Sequence, residues 1–236
     1  AEEIGLIRLS WVKETTPSAG VGCIEDACIL LEEALVHYPP FFDAVPRVRV
    51  RDPLAEFLGA AEGGVIEYLD AVRLAGHSCP TVAGAYGLTR LALGALYGAA
   101  MAERGCVRAT LRDDASVGVA GVVASVVSLL TGACAETGFK GLAGRFERRG
   151  LLAFGVEQAW ELRFTRCADG ASVDAAVNLR AVPADPQMMP LMQRCLAGAA
   201  DEDERRLFGS LWQDRVRRIL LEHGDDPEVF VIRHED

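Results

Sequence analysis

The stretch best suited to chemistry is Gly76-His77-Ser78-Cys79-Pro80, which places an imidazole and a thiol two residues apart. Pro80 suits the first position of a helix, because the N–H that proline lacks would have no helical partner there. Cys79 then sits at the helix entrance, where aligned peptide dipoles and free N–H groups favour a thiolate. His77 can pair with that thiolate, bind the same metal or relay a proton. A buried structural cysteine beside a hydrogen-bonded histidine is the alternative interpretation.

The apolar segment after this motif predicts a helix from about Pro80 to Glu103. The segment has almost no polar face, so we expect the helix to be buried in the core or in a subunit interface. Its glycines each cost about 1 kcal/mol relative to alanine, which is tolerated where a backbone or a ligand comes close. Tyr86, about two turns after Cys79, is a candidate for the same pocket, with core packing as the alternative.

Composition limits the classes of protein to consider. The chain has 236 residues, of which half are hydrophobic and a quarter charged, as in an ordinary globular protein. A net charge of −10 argues against nucleic-acid binding, because phosphate contacts need a basic surface. Lys140 and Arg145 belong to the densest basic cluster, which either holds an anionic ligand or forms a solvated loop.

The cysteines and the apolar runs indicate a cytoplasmic protein without a membrane span. Seven cysteines, an odd number without compact spacing, do not suggest a disulfide framework or a zinc ribbon. The first residues lack a basic region followed by an apolar core, so we expect no signal peptide. The longest apolar run, residues 117–130, is too short to cross a bilayer.

Periodicity predicts the remaining elements. Helices are expected at about residues 18–35, 53–58, 117–130, 188–192 and 201–223. Strands are expected at about residues 47–51, 65–68, 106–113 and 228–232, with a hairpin over residues 158–179 that turns at Asp169-Gly170. Asp113-Asp114 is expected to cap a helix, with a role as cation ligand or proton carrier as the less favoured alternative.

These motifs, in their order along the chain, resemble the FmdE family, named for one of the polypeptides of formylmethanofuran dehydrogenase. The resemblance covers about residues 65–155 and rests on Gly76-His77-x-Cys79-Pro80, Tyr86, Asp113-Asp114, Thr131-Gly132 and Lys140-Gly141. It implies an α+β core with helices packed on an antiparallel sheet, a homodimer, and a pocket that bears His77 and Cys79.

The chain departs from the family pattern at several positions. Ala75 stands where the family often has a second histidine, and Ser116 where a cysteine is common. Ala133 replaces the cysteine of a Thr-Gly-Cys motif, with Cys134 displaced by one residue. The chain also lacks the cysteine pairs of the C-terminal zinc finger that many members have. The resemblance therefore implies an incomplete ligand set and does not imply methanogenesis.

We accordingly expect an α+β protein in three parts. Residues 1–64 form an N-terminal helical extension, residues 65–182 form an FmdE-like core, and residues 183–236 add helices and a final strand.

The expected function is that of an enzyme acting on a small molecule. Its pocket would hold a transition metal, zinc or iron, or alternatively haem, through His77 and Cys79. These two residues and Tyr86 are the catalytic candidates, while Lys140 and Arg145 would bind a cofactor or an anionic substrate. The alternatives are a non-catalytic accessory or ligand-binding module, and a metal-free enzyme with Cys79 as nucleophile.

Overall fold

The protein carries eight β-strands and six α-helices within residues 37–234, the part of the chain that this computed structural model describes. The helix expected over residues 18–35 lies outside the described residues. From Pro39 onward the chain forms one unit. The mixture of helices with two separate sheets confirms the predicted α+β class.

The elements follow one another in this order. The first group consists of β1 (Val48–Arg51), α1 (Pro53–Phe57), β2 (Gly64–Ile66), α2 (Tyr68–Ala75) and α3 (Pro80–Tyr97). The second group consists of β3 (Ala102–Glu103), β4 (Val107–Leu111), α4 (Ala120–Thr131) and β5 (Leu152–Ala153). The third group consists of β6 (Leu162–Arg166), β7 (Ser172–Val177), α5 (Met188–Leu196), α6 (Glu202–Arg217) and β8 (Phe230–His234).

Two sheets organise the strands. In the smaller sheet β1 lies between β2, which is antiparallel to it, and β3, which is parallel. The larger sheet has the order β5-β4-β6-β7-β8, and only its β4–β5 pair is parallel. The hairpin predicted around Asp169-Gly170 is confirmed as β6 and β7, which place Phe164 opposite Val173. Gly170 has a φ of +76°, which suits the turn.

Helix α3 forms the centre of the core and packs against α4, β7 and β8. Val82, Tyr86 and Leu88 are each no more than 1% exposed, as expected for a helix without a polar face. The predicted end at Glu103 is wrong. The helix ends at Tyr97 because Gly98 takes a φ of +55°, and Glu103 belongs to β3.

Helix α2 was not predicted, because residues 65–68 suggested a strand. The strand ends at Ile66, and a capping box then starts the helix, in which the backbone N–H of Glu67 donates to the Asp70 carboxylate at 2.9 Å. Gly76 ends the helix with a φ of +75°. The helix has only eight residues, so its termini define it more clearly than its periodicity.

The boundaries predicted at residues 64 and 182 both fall inside this unit. β1 precedes the first boundary and pairs with β3 beyond it, and β8 follows the second boundary and pairs with β7. The three-part division stays a prediction. Within residues 37–234, no helix is long and apolar enough to cross a membrane.

The packing of α3 against β8 generates a stability prediction. A Cβ atom on Gly87 would lie 2.7 Å from Cζ of Phe230, whose side chain is only 2% exposed and has little room to move. We expect Gly87→Ala to lower the free energy of unfolding by about 1–3 kcal/mol, measured by urea denaturation.

Gly94 in the same helix is the matched control, because a Cβ there meets nothing within 4 Å. Gly94→Ala should raise the free energy of unfolding by up to about 1 kcal/mol through helix propensity alone. Equal effects at the two positions would contradict the packing explanation.

Candidate functional site

The predicted motif forms the connection between α2 and α3. Gly76 ends α2. Cys79 is the N-cap of α3 and Pro80 is its first residue, as the sequence predicted. His77 and Ser78 complete the connection. The two predicted ligands therefore lie on either side of Ser78, one at the surface and one in the core.

The thiol of Cys79 caps the helix. Its Sγ accepts a hydrogen bond from the backbone N–H of Val82 at 3.4 Å, and the residue is 8% exposed. The bond occupies one of the N–H groups that a helix N-terminus leaves without a partner. Cys79 thus has a structural role in this conformation, whatever its chemical role.

The imidazole of His77 is exposed, and its Nδ1 lies 2.9 Å from the carbonyl oxygen of Ala75. When Nδ1 carries the proton and donates it to this carbonyl, the lone pair is on Nε2. Among the described residues, Nε2 has no hydrogen-bond partner. The ring is therefore oriented by the last residue of α2, with one nitrogen available to a ligand.

Ser78 ties the motif to α6. Burial raises the pKa of Tyr68 far above its ordinary value, so its hydroxyl stays protonated and donates to Ser78 Oγ at 2.9 Å. The Ser78 hydroxyl donates in turn to Oε1 of Gln213 at 3.0 Å. Its carbonyl oxygen accepts from Trp212 Nε1 at 3.0 Å and from Gln213 Nε2 at 3.2 Å. This connected network fixes the path of the loop between its two candidate ligands.

Tyr86 lies in the core. Its hydroxyl is 3.0 Å from the carbonyl oxygens of both Pro46 and Ile66, to which it donates. Burial raises the pKa of Tyr86 well above its ordinary value, so the phenol stays protonated. The hydroxyl thus bonds to backbone on the side of the smaller sheet, and a catalytic role for it stays a prediction.

Lys140 and Arg145 are exposed on the loop between α4 and β5. The guanidinium of Arg145 stacks over the Phe146 ring, 4.8 Å from its centroid. Arg145 lines a cavity of about 440 Å³ beside α1 that neither His77 nor Cys79 lines. Arg145 therefore lines a cavity to which the motif does not contribute.

An internal ion-pair cluster borders that smaller cavity. Nη2 of Arg148 donates to both oxygens of the Asp52 carboxylate at 2.6 and 2.8 Å, and Nη1 of Arg104 donates to Oδ2 at 2.8 Å. Burial raises the pKa of the Asp52 carboxyl, but the two arginines and the backbone N–H of Ala55 outweigh burial and hold the pKa below its ordinary value. Asp52 is also the N-cap of α1, so the cluster serves the fold.

A cavity with a volume of about 680 Å³, the main cavity, lies between α3, the first turn of α4 and the larger sheet. Its walls are mainly apolar, formed by residues such as Ala85, Leu88 and Val123. Thr81 lines it from the first turn of α3, two residues after Cys79. None of the five predicted site residues lines it, although the less favoured candidate Asp113 does. Its volume falls in the usual range for small-molecule sites.

Two acidic and two basic side chains line the main cavity. Glu161 lies before β6 and accepts from the backbone N–H of Val177 at 3.1 Å. Asp113 follows β4 and is half exposed, 3.6 Å from Nε of Arg112. The two basic residues are Arg180, which follows β7 and is exposed, and Arg215 from α6.

Arg215 is a cation without an acidic partner. Its Nε donates to the carbonyl oxygen of Val182 at 2.9 Å, and its Nη2 donates to that of Leu179 at 3.0 Å. Burial, reinforced by the Arg218 cation, lowers the pKa of Arg215. A guanidinium nevertheless stays charged at neutral pH. No carboxylate of the described residues pairs with it, so its positive charge lines the cavity without an ion pair.

A metal centre of ordinary composition is not assembled within the described residues. No group of three or more His, Cys, Asp or Glu side chains that would hold a metal ion occurs among residues 37–234. Catalytic zinc sites generally use three protein ligands, and the motif offers two candidates. Metal binding at His77 and Cys79 stays a prediction.

Comparisons with known proteins do not assign the chain to a family. No family model matches it, and no curated protein matches it significantly. The resemblance to the FmdE family stays a prediction that rests on the quoted motif residues.

The cavity residues were mostly missed from the sequence. Arg215 belongs to the last turn of α6, where a basic side chain ordinarily compensates the helix dipole. Glu161 belongs to the alternating pattern of the hairpin, where a charged residue suggests a solvated face. Arg215 and Glu161 line the cavity because segments that are distant in the sequence pack together. The residues next to them in the sequence do not indicate that packing.

Two substitutions distinguish the capping role of Cys79 from any chemical role of its thiol. Serine is a favoured N-cap, so Cys79→Ser should keep the free energy of unfolding within about 0.5 kcal/mol of the parent. Cys79→Ala removes the acceptor for the Val82 N–H and should lower it by about 1 kcal/mol. Urea denaturation of the two variants measures this difference, and equal destabilisation would contradict a capping role.

Proposed function

We propose that the protein binds a small amphipathic molecule, with an apolar body and an anionic group, in the 680 Å³ cavity. The observation that carries this proposal is Arg215, a partly buried cation that lines an apolar cavity without a carboxylate partner among the described residues. The proposal corresponds to the ligand-binding module that the sequence left as an alternative.

The apolar walls support an apolar ligand body. Ala85 and Leu88 of α3 are at most 2% exposed, and the cavity reaches them from the surface. A hydrocarbon or aromatic group that covers these walls gains about 25 cal/mol for each Å² removed from water. The apolar walls thus increase the affinity for any apolar ligand body and do not select one particular chemical group.

Arg215 supports an anionic group on that ligand. The two carbonyl oxygens hold the guanidinium in one orientation but leave its net charge uncompensated. A carboxylate, sulfonate or phosphate forms charge-assisted hydrogen bonds with such a group. Glu161 and Asp113, which also line the cavity, add selectivity, because they repel a second anionic group.

The cavity is linked to the motif by two shared helices. Helix α6 carries both Arg215 and the residues that hold Ser78, namely Trp212 and Gln213. Helix α3 carries the N-cap Cys79 and the cavity residue Thr81. A ligand that orders α6 against α3 would therefore also order the loop that bears His77. We place this function in the cytoplasm, which the five free thiols among the described cysteines support.

The second candidate is the metal-dependent enzyme, to which the FmdE resemblance also belongs. The observation that favours it is the hydrogen bond between Nδ1 of His77 and the Ala75 carbonyl, which leaves Nε2 available. Histidine ligands are commonly oriented by such a bond from the other ring nitrogen. The metal would supply Lewis-acid or redox chemistry, and His77 and Cys79 would hold it.

Two related fluorescent probes test ligand binding in the cavity. Anilinonaphthalene sulfonate and phenylnaphthylamine share an aromatic body, but only the first carries an anion. In fluorescence titrations Arg215→Gln should weaken binding of the sulfonate by about 10-fold or more, because a hydrogen bond to a charged group is lost. Binding of the uncharged probe should not change.

Three further variants control this measurement. Arg205→Gln removes an arginine of the same helix that bonds to the Ala200 carbonyl but does not line the cavity, and should leave both affinities unchanged. Arg215→Lys keeps the charge and should restore part of the affinity for the sulfonate. Val123→Trp should narrow the cavity and weaken binding of both probes. Undiminished binding to Val123→Trp, or equal loss of both probes with Arg215→Gln, would contradict the proposal.

Metal analysis tests the second candidate. After incubation with zinc and removal of the excess, the parent should retain about one ion per chain, and His77→Ala and Cys79→Ser should lose it. His223→Ala is the matched control, because His223 bonds to the Asp226 carboxylate outside the motif. A visible absorption spectrum of the purified protein tests for haem in the same samples. Equal zinc contents in all four proteins would count against a metal site at the motif.

A further inference from the structure

Two cysteines face each other at one end of the β4–β6 strand pair. Cys106 immediately precedes β4 and Cys167 immediately follows β6. The antiparallel register places Val107 opposite Arg166, and one further step places Cys106 opposite Cys167. The backbone N–H of Cys167 donates to the Cys106 carbonyl oxygen at 2.9 Å, so the pairing extends to these residues.

The register also places both side chains on the same face of the sheet. Val107 and Phe164 are completely buried on the core side. Residues that alternate with them, including both cysteines, belong to the opposite face. Cys167 is exposed and Cys106 partly exposed, so small solutes have access to them.

The expected separation of the two residues fits a disulfide. Directly opposed residues in a hydrogen-bonded antiparallel pair have Cα atoms about 5.5 Å apart. Disulfides usually join residues with Cα atoms about 4.4–6.8 Å apart. The backbone therefore requires no large movement to bring these two sulfurs together.

We propose that Cys106 and Cys167 are a site of reversible oxidation, which a peroxide converts from two thiols into a disulfide between β4 and β6. This site is separate from the motif and from the cavity of the proposed function. Both thiols are free in the structure described above, which is the reduced form.

The chemistry balances as a two-electron oxidation. The Cys167 thiolate attacks one oxygen of hydrogen peroxide, the O–O bond breaks, and a sulfenic acid and water form. The Cys106 sulfur then attacks the sulfenic sulfur, an S–S bond forms, and the S–O bond breaks to release a second water. Two thiols have lost two hydrogen atoms, and the peroxide has been reduced to two waters.

The order of these steps follows from the surroundings of the two thiols. Burial, together with the carboxylate of Glu103 and the facing Cys167, raises the pKa of Cys106. Less of Cys106 is therefore present as thiolate, the form that reacts with peroxide. Cys167, which is the more exposed, reacts first, and Cys106 resolves the sulfenic acid.

Treatment of the full chain with a small excess of hydrogen peroxide tests the proposal. Intact mass should fall by about 2 Da, corresponding to the two lost hydrogen atoms, and dithiothreitol should restore it. Peptide mapping without reduction should identify one cross-link, between the peptides of Cys106 and Cys167. The cross-link should raise the midpoint of thermal unfolding by about 5 °C or more.

Single variants locate the reaction. Cys106→Ser should accumulate a sulfenic acid at Cys167 that dimedone traps, whereas Cys167→Ser should neither form the cross-link nor lose mass. Cys195→Ser is the control and should behave as the parent, with circular dichroism verifying that each variant is folded. A mass increase without a cross-link, or a cross-link that involves another cysteine in place of this pair, would overturn the proposal.

Discussion

Helix α3 buries side chains on every face, and the other elements are arranged to cover it. The larger sheet approaches two of its glycines closely: a Cβ on Gly84 would lie 3.4 Å from Val177, and one on Gly87 would lie nearer still to Phe230. The polar side chain of Thr89 is accommodated because its hydroxyl donates to the Ala85 carbonyl at 2.7 Å. The glycines that weaken the helix intrinsically thus allow the sheet contact that makes the helix stable in place.

The same constraint determines the position of the motif. Because α3 is enclosed, its first turn has a fixed place, and the N-cap Cys79 is drawn into the core with it. The connection to Ser78 from α6 then holds the remaining loop, while His77 stays at the surface. Cys79 is consequently buried and His77 lies at the surface, although they are only two residues apart. Their spacing in the sequence does not indicate this difference.

The parts of the fold that were predicted correctly depend on local sequence. The β6–β7 hairpin follows from alternation and a turn at Gly170, and the start of α3 follows from Pro80. The end of α3 and the whole of α2 were missed, because they depend on left-handed glycines at Gly98 and Gly76 within otherwise uninformative stretches. The sequence placed the motif correctly at a helix entrance. It did not indicate Arg215 as a candidate, because the lack of a carboxylate partner among the described residues is a property of the folded chain.

The proposed cavity and the thiol pair lie at opposite ends of the same two strands. Leu111 and Leu162 are paired at the cavity end of β4 and β6, and Cys106 and Cys167 at the other, roughly 17 Å away for five residues of strand. A ligand and an oxidant influence each other only if one of them alters a contact that the other also needs. The ladder between the two sites has one register, fixed by core residues such as Phe164, and offers no second arrangement for either event to favour. The disulfide would therefore act by holding β4 and β6 together. A ligand in the cavity would instead act through α3 and α6.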